Sequence, residues 1–526
     1  MESFLISPSF LVAACAALIY IVAGAFRRLF LSPVAQFPGP TLAALTFWYE
    51  FYYDVLCKGR YTWKIQELHE LYGPVVRINP HELHIFDPAF YDSVYVGPSR
   101  RTDKWAYSAR MFGTSLAAVG TTGHELHRLR RSALNGFFSK RSISKLEPTI
   151  QRVIEHACHQ LQSRGLNGRI LDLRNFFAAF SADVIGEVAF GSGYGLLDKP
   201  DFEPGWQKLM MDLSRATHLM KQFPWAYSIL NSIPPYLVSL VHPLTKRLFD
   251  IRSDVHLKIE QTRVSIKEPN YLGAKEKENP TVLHSILSSP NLPTPELTTP
   301  RLEDEAFTLL GAGTITTAHT LTSILYYILA SPVIRFQLEA ELSAQQSLGL
   351  KVLEHLPYLT AVISEGLRLS FGVSHRLPRV SPDTALNYHN TIDGKQHDYT
   401  IPPSVPISMT QMFTHLDPTI YASPHTFKPS RWLASTCATD EEKEELRLRK
   451  QHLIPFSKGT RMCAGMYLAY AELYLMVGAL FAPDGLGRKM KLFETSVEDV
   501  ECVHDFFNPS PKLGSKGMRV VLENNF

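Results

Sequence analysis

The sequence predicts a mainly α-helical protein with small β-sheets, standing behind one N-terminal transmembrane helix, and three observations carry that expectation. Beyond position 45, apolar residues recur mostly at helical spacing, as in Leu302 to Leu329. Strand-like alternation is confined to short runs such as Val75 to Ile85 and Met518 to Leu522. Residues Phe10 to Phe26 carry no charge, and counted back through Phe4 the run approaches the ~20 residues a spanning helix needs. A chain of 526 residues with 45% hydrophobic and 20% charged side chains has ample material for a core. Its net charge of +3 gives no field of the kind nucleic-acid binders use, so no nucleic-acid partner is expected.

Taken in chain order, residues 1–30 read as the membrane anchor. Arg27 and Arg28 follow the apolar run, and basic flanks stay on the cytoplasmic side, so the remainder is expected in the cytosol. Ala23, Gly24 and Ala25 imitate a signal-peptide cleavage site, but Met1 to Ser3 lack the basic charge such a peptide needs. Residues 31–45, with prolines at 33, 38 and 40, predict a stiff, extended hinge, and residues 46–526 a single body. The six cysteines contain no C-x-x-C pair, which argues against a disulfide framework or zinc ribbon and for a reducing compartment. Both N-x-S/T triplets, at Asn279 and Asn508, hold proline in the middle and cannot be glycosylated.

Ser265 to Pro300 is polar and proline-bearing, and is expected as a surface connection. Pro300 to Ala330 predicts a helix ~45 Å long, with Thr299 as N-cap, Pro300 in the first turn and a stop at Ser331-Pro332. Gly311 and Gly313 inside it each cost ~1 kcal/mol against alanine, so something must need the space they leave.

The chemistry concentrates in Phe456-Ser-Lys-Gly459-Thr-Arg461-Met-Cys463-Ala-Gly465, followed by a helical run from Met466 to Leu480. A cysteine just before a helix gains thiolate stability from the N-terminal end and from backbone N–H groups that the glycines leave approachable. The plainer reading is a buried core cysteine. Against it, five matched positions arise by chance about once in ten thousand such chains.

The pattern F-x-x-G-x-R-x-C-x-G resembles the haem-binding loop of the cytochrome P-450 superfamily, and further landmarks follow in family order over nearly the whole chain. The resemblance implies the cytochrome P-450 fold, with haem b between the long helix and the cysteine loop and Cys463 as axial ligand of the iron. A thiolate there favours oxygen activation. It also implies that Phe456, Gly459 and Gly465 shape the loop, that Arg461, Arg379, Arg131 and His127 bind haem carboxylates, and that Glu365 and Arg368 (E-x-x-R) pair with Arg431. Ala312-Gly313-Thr314-Ile315-Thr316-Thr317 resembles the oxygen-binding stretch. Gly313 then lets the helix lie against the haem, and Thr316 is the catalytic hydroxyl that bonds the bound oxygen species or a proton-delivering water. Where the family carries an acid, this chain has Ile315, which cannot relay a proton.

Two other motifs fail on inspection. His124-Glu-Leu-His127 is one residue short of a zinc helix, and Gly191-Ser-Gly193-Tyr-Gly195 lacks the strand and spacing of a dinucleotide loop. With no room for a flavin module, electrons are expected from NADPH-cytochrome P-450 reductase, docking near Arg128, Arg130, Lys140 and Lys458. By resemblance, substrate contacts fall in 105–118, 206–236, 307–316, 372–377 and 506–508, with 223–241 dipping into the bilayer interface. The stretch from Phe47 to Ile85 looks most like fungal secondary-metabolite members, including the trichodiene oxygenase group. The expected function is therefore insertion of oxygen from O2 into a lipophilic natural product at the endoplasmic reticulum membrane, terpenoid favoured, with polyketide or alkaloid as alternatives. A haem-thiolate isomerase or dehydratase and a non-enzymatic haem sensor are the rival readings.

Overall fold

The computed structural model describes residues 8–225, 229, 233, 243–267, 280–392 and 394–523. Helix α1 (Pro8–Phe26) continues through one wide turn, Arg27–Leu31. The run Ser9–Leu31, with mean hydropathy 2.3 and no residue buried, is long and apolar enough to cross a membrane. Its base is tied to the body, since Arg77 donates to the Arg28 carbonyl at 2.9 Å and Arg28 donates to the carbonyl of Leu45.

Residues 31–45 are not the extended connection expected from their prolines. Val34 and Phe37 are buried among Val75, Ile85 and Tyr388, and Thr41–Leu45 forms a short helix burying Ala43 and Ala44. The apolar side chains between the prolines give the segment a face to bury, and burial outweighs the stiffness of the prolines.

The core is helical. It is built around α2 (His124–Asn135), α3 (Leu173–Phe190), α4 (Pro204–Gln222), α5 (Thr299–Ala330), α6 (Pro357–Ser370) and α7 (Met466–Phe481). The N-cap of α5 is Thr298, one residue before the one expected, so Thr299 and Pro300 fill the first two helical positions. At the far end Ser331 accepts a hydrogen bond from the Ile334 amide and starts the next helix, Pro332–Ser343, which ends α5 as read from the sequence.

Helix α3 is buried along nearly its whole length and packs along α5. A Cβ on Gly313 would stand 2.8 Å from Ile185 Cγ1 of α3. The missing side chain at Gly313 therefore serves the approach of two helices, a correction to the expectation that it opens α5 toward the haem. No atom lies within 4 Å of a Cβ built on Gly311.

A five-stranded sheet flanks the helices. It comprises β1 (Val75–Arg77), β2 (Leu83–Ile85), β3 (Asp103–Lys104), β4 (Arg379–Val380) and β5 (Pro406–Ser408), in the order β1-β2-β5-β4-β3. The run from Val75 to Ile85 is thus a hairpin, with Val75 opposite Ile85. Strand β3 is an edge strand of two residues, and its Lys104 stands opposite Arg379 of β4. Arg519–Leu522 pairs with Leu171–Asp172 and Met490–Leu492, fastening the C-terminal region to the start of α3. Within the expected surface connection, Val282, Leu283 and Ile286 lie on a short helix, Val282–Leu287, and are buried; residues 268–279 fall outside the described set.

Candidate active site

The cysteine loop is held by backbone geometry. The Cys463 amide donates to the Phe456 carbonyl at 2.9 Å, and the Phe456 ring packs on Tyr470 of α7 at 5.2 Å. Gly459 has φ +79°, and any Cβ there would collide with the backbone of Tyr95 and Val96, so both conformation and space require glycine. Cys463 lies deep in the fold and yet its side chain is exposed, so the sulfur borders an interior space rather than packed chain. Burial raises its thiol pKa, while the Gly465 amide hydrogen-bonded to the sulfur and the charge of Arg131 act the other way. A metal cation at the sulfur would complete the shift to thiolate.

Beside the cysteine is a group of cations with few counter-charges. Arg461 donates to the carbonyls of Thr121 (2.7 Å) and Thr122 (2.6 Å), and its Nε finds no protein partner. Burial, then the nearby Arg379, pulls its pKa down to about 9. Arg379 is buried, donates to the carbonyls of Leu377 and Pro378 and lies over the Tyr95 ring. His127 is buried, and burial together with Arg461, Arg131, Lys104 and Arg379 pushes its pKa down to about 2. Arg131 reaches Asn135 at 2.7 Å. Lys104 donates to the Val119 carbonyl at 2.6 Å, and burial plus Arg379 and Arg461 hold its pKa well below the usual value.

Like charges placed opposite each other across a strand pair repel, so this cradle is built for an anion. A thiol for iron next to five cationic or hydrogen-bonding side chains fits haem with its two carboxylates. Sequence reasoning found every member of this set but Lys104. Its place depends on the register of β3 with β4, which no local pattern shows.

On α5, Ala312 is exposed and Thr316 half-buried in a helix whose flanks are buried. The Thr316 hydroxyl donates to the Ala312 carbonyl at 2.8 Å, leaving its oxygen free to accept. Ile315 packs against the helical core. Among the expected substrate stretches, Phe112 and Phe507 meet edge-to-face at 4.9 Å. Ser374, His375 and Arg376 instead turn into a buried polar network with Asp505, Glu50 and Glu82, which corrects the expectation that 372–377 as a whole faces substrate. Most of 223–241 lies outside the described residues.

In that network His218, His375 and Asp505 bring potential metal ligands within 4.8 Å of one another. The Asp505 carboxylate, however, already accepts from Thr62, Ser374, His375 and the Phe507 amide, which leaves it no capacity for an ion. No other such group occurs among the described residues.

Glu365, Arg368 and Arg431 come together as the resemblance implied. Arg368 grips Glu365 through two bonds (2.8 and 2.9 Å) and Arg431 adds a third at 2.9 Å. Arg128, Lys140 and Lys458 are at least partly exposed. Arg130 is buried against Glu296 and Thr121 and is withdrawn from the docking patch.

A cysteine loop entering a helix, an anion cradle beside it and an opposing helix with a free hydroxyl oxygen define a haem-thiolate oxygenase. The Cytochrome P450 family model matches residues 38–482, and the chain belongs to that family. It is 42% identical to a tryptophan 6-hydroxylase of Fusarium equiseti over 95% of this chain and 94% of that one. It is 39% identical to an N-acetyltryptophan 6-hydroxylase of Emericella nidulans over 96% of both chains. With a cytochrome P450 monooxygenase of Cochliobolus heterostrophus it shares 40% identity over 94% of this chain and 93% of the other. The protein is thus a haem-thiolate monooxygenase, of a family whose members take electrons from a redox partner.

Proposed function

We propose that this monooxygenase hydroxylates a lipophilic aromatic molecule of fungal secondary metabolism, an indole or other alkaloid-type ring ahead of a terpenoid. The observation that carries the oxygenase chemistry is Cys463, deep yet open, beside the cradle of Arg131, His127, Arg379, Arg461 and Lys104. Haem b bound there supplies the reduction of O2 and the transfer of one oxygen atom to substrate. Cys463 would hold that group through its sulfur, the cradle would bind its two carboxylates, and the Thr316 oxygen is free to accept a hydrogen bond from a water that brings a proton.

Two things support an aromatic substrate over the terpenoid favoured by sequence. Two of the relatives carry names that state a substrate, tryptophan for one and N-acetyltryptophan for the other. The edge-to-face contact of Phe112 and Phe507 brings two expected substrate stretches together through aromatic rings, the kind of surface a flat π-system packs against.

We further infer single-pass anchorage in the endoplasmic reticulum through Ser9–Leu31, a catalytic body that packs residues 31–45 as its first layer, and NADPH-cytochrome P-450 reductase as electron donor near Arg128, Lys140 and Lys458. Microsomes holding this chain and the reductase should convert tryptophan, N-acetyltryptophan or related indoles to products one oxygen heavier, dependent on NADPH. Cys463→Ala should abolish both the thiolate-type CO spectrum and the product. Oxygenation of terpenes alone would reject the aromatic reading. Turnover without NADPH or O2 would favour the isomerase reading that Ile315 motivates.

A further inference from the structure

Phe507 is the single residue at the turn of a hairpin in which His504–Phe506 pairs with Asn508–Ser510, Phe506 standing opposite Asn508. Its φ is +71°, a left-handed conformation that crowds the Cβ of an aromatic residue and persists only where the surroundings enforce it. Here they do. The Phe507 amide donates to Asp505 Oδ1 at 2.9 Å, and its carbonyl accepts from the Ser374 amide at 3.0 Å. The Ser374 hydroxyl donates to the same Asp505 oxygen at 2.9 Å. Asp505 is fixed from behind, since its Oδ2 accepts from Thr62 at 2.6 Å and from His375 at 2.9 Å. Ser214 of α4 donates to the Phe506 carbonyl at 2.7 Å and Asn508 to that of Gly372 at 3.3 Å, which ties the hairpin down on both sides.

The ring held in this way is not packed out of reach. Phe507 is half-buried although Phe506 and Asn508 on either side are buried, and it meets Phe112 at 89° with centroids 4.9 Å apart. Lys104 Nζ stands 4.6 Å from the centre of the Phe112 ring. Lys104, like Cys463, lies deep in the fold and yet keeps open surface, so the two rings stand at the edge of the space that the cradle lines. A glycine or asparagine would make the same turn with little strain, so what the position needs is the ring itself.

We propose that Asp505 and Ser374 are positioning residues for the regiochemistry of the reaction: they lock Phe507 in its left-handed turn, and the fixed wall of Phe507 and Phe112 decides which edge of a flat substrate ring is offered for oxygenation. Neither residue touches substrate; both act through the Phe507 ring. A displacement of about 1 Å in such a wall is enough to redirect a bound ring, and aromatic faces and edges hold one another at set angles. The inference rests on the aromatic-substrate reading above and names what in that site selects the position attacked.

The test uses haem-loaded protein with the reductase, N-acetyltryptophan as probe, and the ratio of the major hydroxylated isomer to the next as readout. Ser374→Ala should keep the thiolate-type CO spectrum and lower that ratio roughly fivefold, the change that loss of one ordinary hydrogen bond gives. Phe507→Ala should lower it further, as should Asp505→Leu; should Asp505→Leu fail to take up haem, Ser374→Ala decides. Val282→Ala, which softens the buried short helix Val282–Leu287 instead, should leave the ratio as in wild type and so separates positioning from general loss of stability. Independently of turnover, 4-fluorophenylalanine placed at position 507 should give one narrow 19F resonance in the otherwise wild-type protein and a broadened or split one in Ser374→Ala. An isomer ratio in Ser374→Ala equal to wild type, or a 19F signal equally narrow in both, would overturn the proposal. A wild type that converts no indole would sink the aromatic reading instead, and the 19F comparison would still decide whether Ser374 holds the ring.

Discussion

Glu365 accepts hydrogen bonds from Arg368, Arg431, the indole of Trp432 and the amide of Lys428, all inside the protein. Glu365→Ala would leave two buried guanidinium groups without their counter-charge. Removing one partner of such a set costs about 3–5 kcal/mol, so the urea midpoint of the haem-loaded protein should drop sharply, whereas a loss below about 1 kcal/mol would contradict the bracing role. The i, i+3 spacing of Glu365 and Arg368 made their pairing readable in advance. The contributions of Trp432 and Lys428 were not, because a three-ten turn at Pro429–Trp432 aims them and no periodic pattern marks it. Lys104 was missed for a related reason: it is one lysine among many until a strand register sets it opposite Arg379.

Helix α5 shows what a pattern can and cannot say about an element. Its proline at the start and Ser-Pro at the end fixed its extent to within a residue, and its two glycines announced a need for space. Which neighbour uses the space is a tertiary fact, and at Gly313 it is Ile185 of α3. Gly313→Ala should therefore destabilise by about 1–3 kcal/mol through overpacking. Combined with Ile185→Ala, it should cost less than the sum of the two single changes in a urea double-mutant cycle; strict additivity would mean that the helices do not meet there. In the same way the prolines of 31–45 were read as stiffness, while Val34 and Phe37 had the stronger say.

Across the whole molecule, buried histidines make stability depend on pH. His69 donates to the Gly73 carbonyl and accepts from His84, which accepts from Thr410, so both rings are wired as neutral. Burial sets the pKa of His69 near 4 and of His84 well below its usual value, and likewise puts His375 near 4 and His415 near 3. The unfolded chain takes up these protons below about 6.5 and the folded one refuses them, so stability is full above that pH and falls as pH drops toward 4. Each group contributes up to ~1.4 kcal/mol per unit. The urea midpoint should be level from pH 8 to 7 and decline steeply by pH 5; a level midpoint down to pH 5 would refute the neutral wiring.

The edge where Lys104 faces Arg379 carries its own consequence for the living cell. The two short strands already pair with a lysine opposite an arginine, and the acid groups of a bound porphyrin would give both side chains a counter-charge. A polypeptide still waiting for pigment is then expected to be cut more readily beside Asp103 than the loaded one, which limited proteolysis of both forms would show.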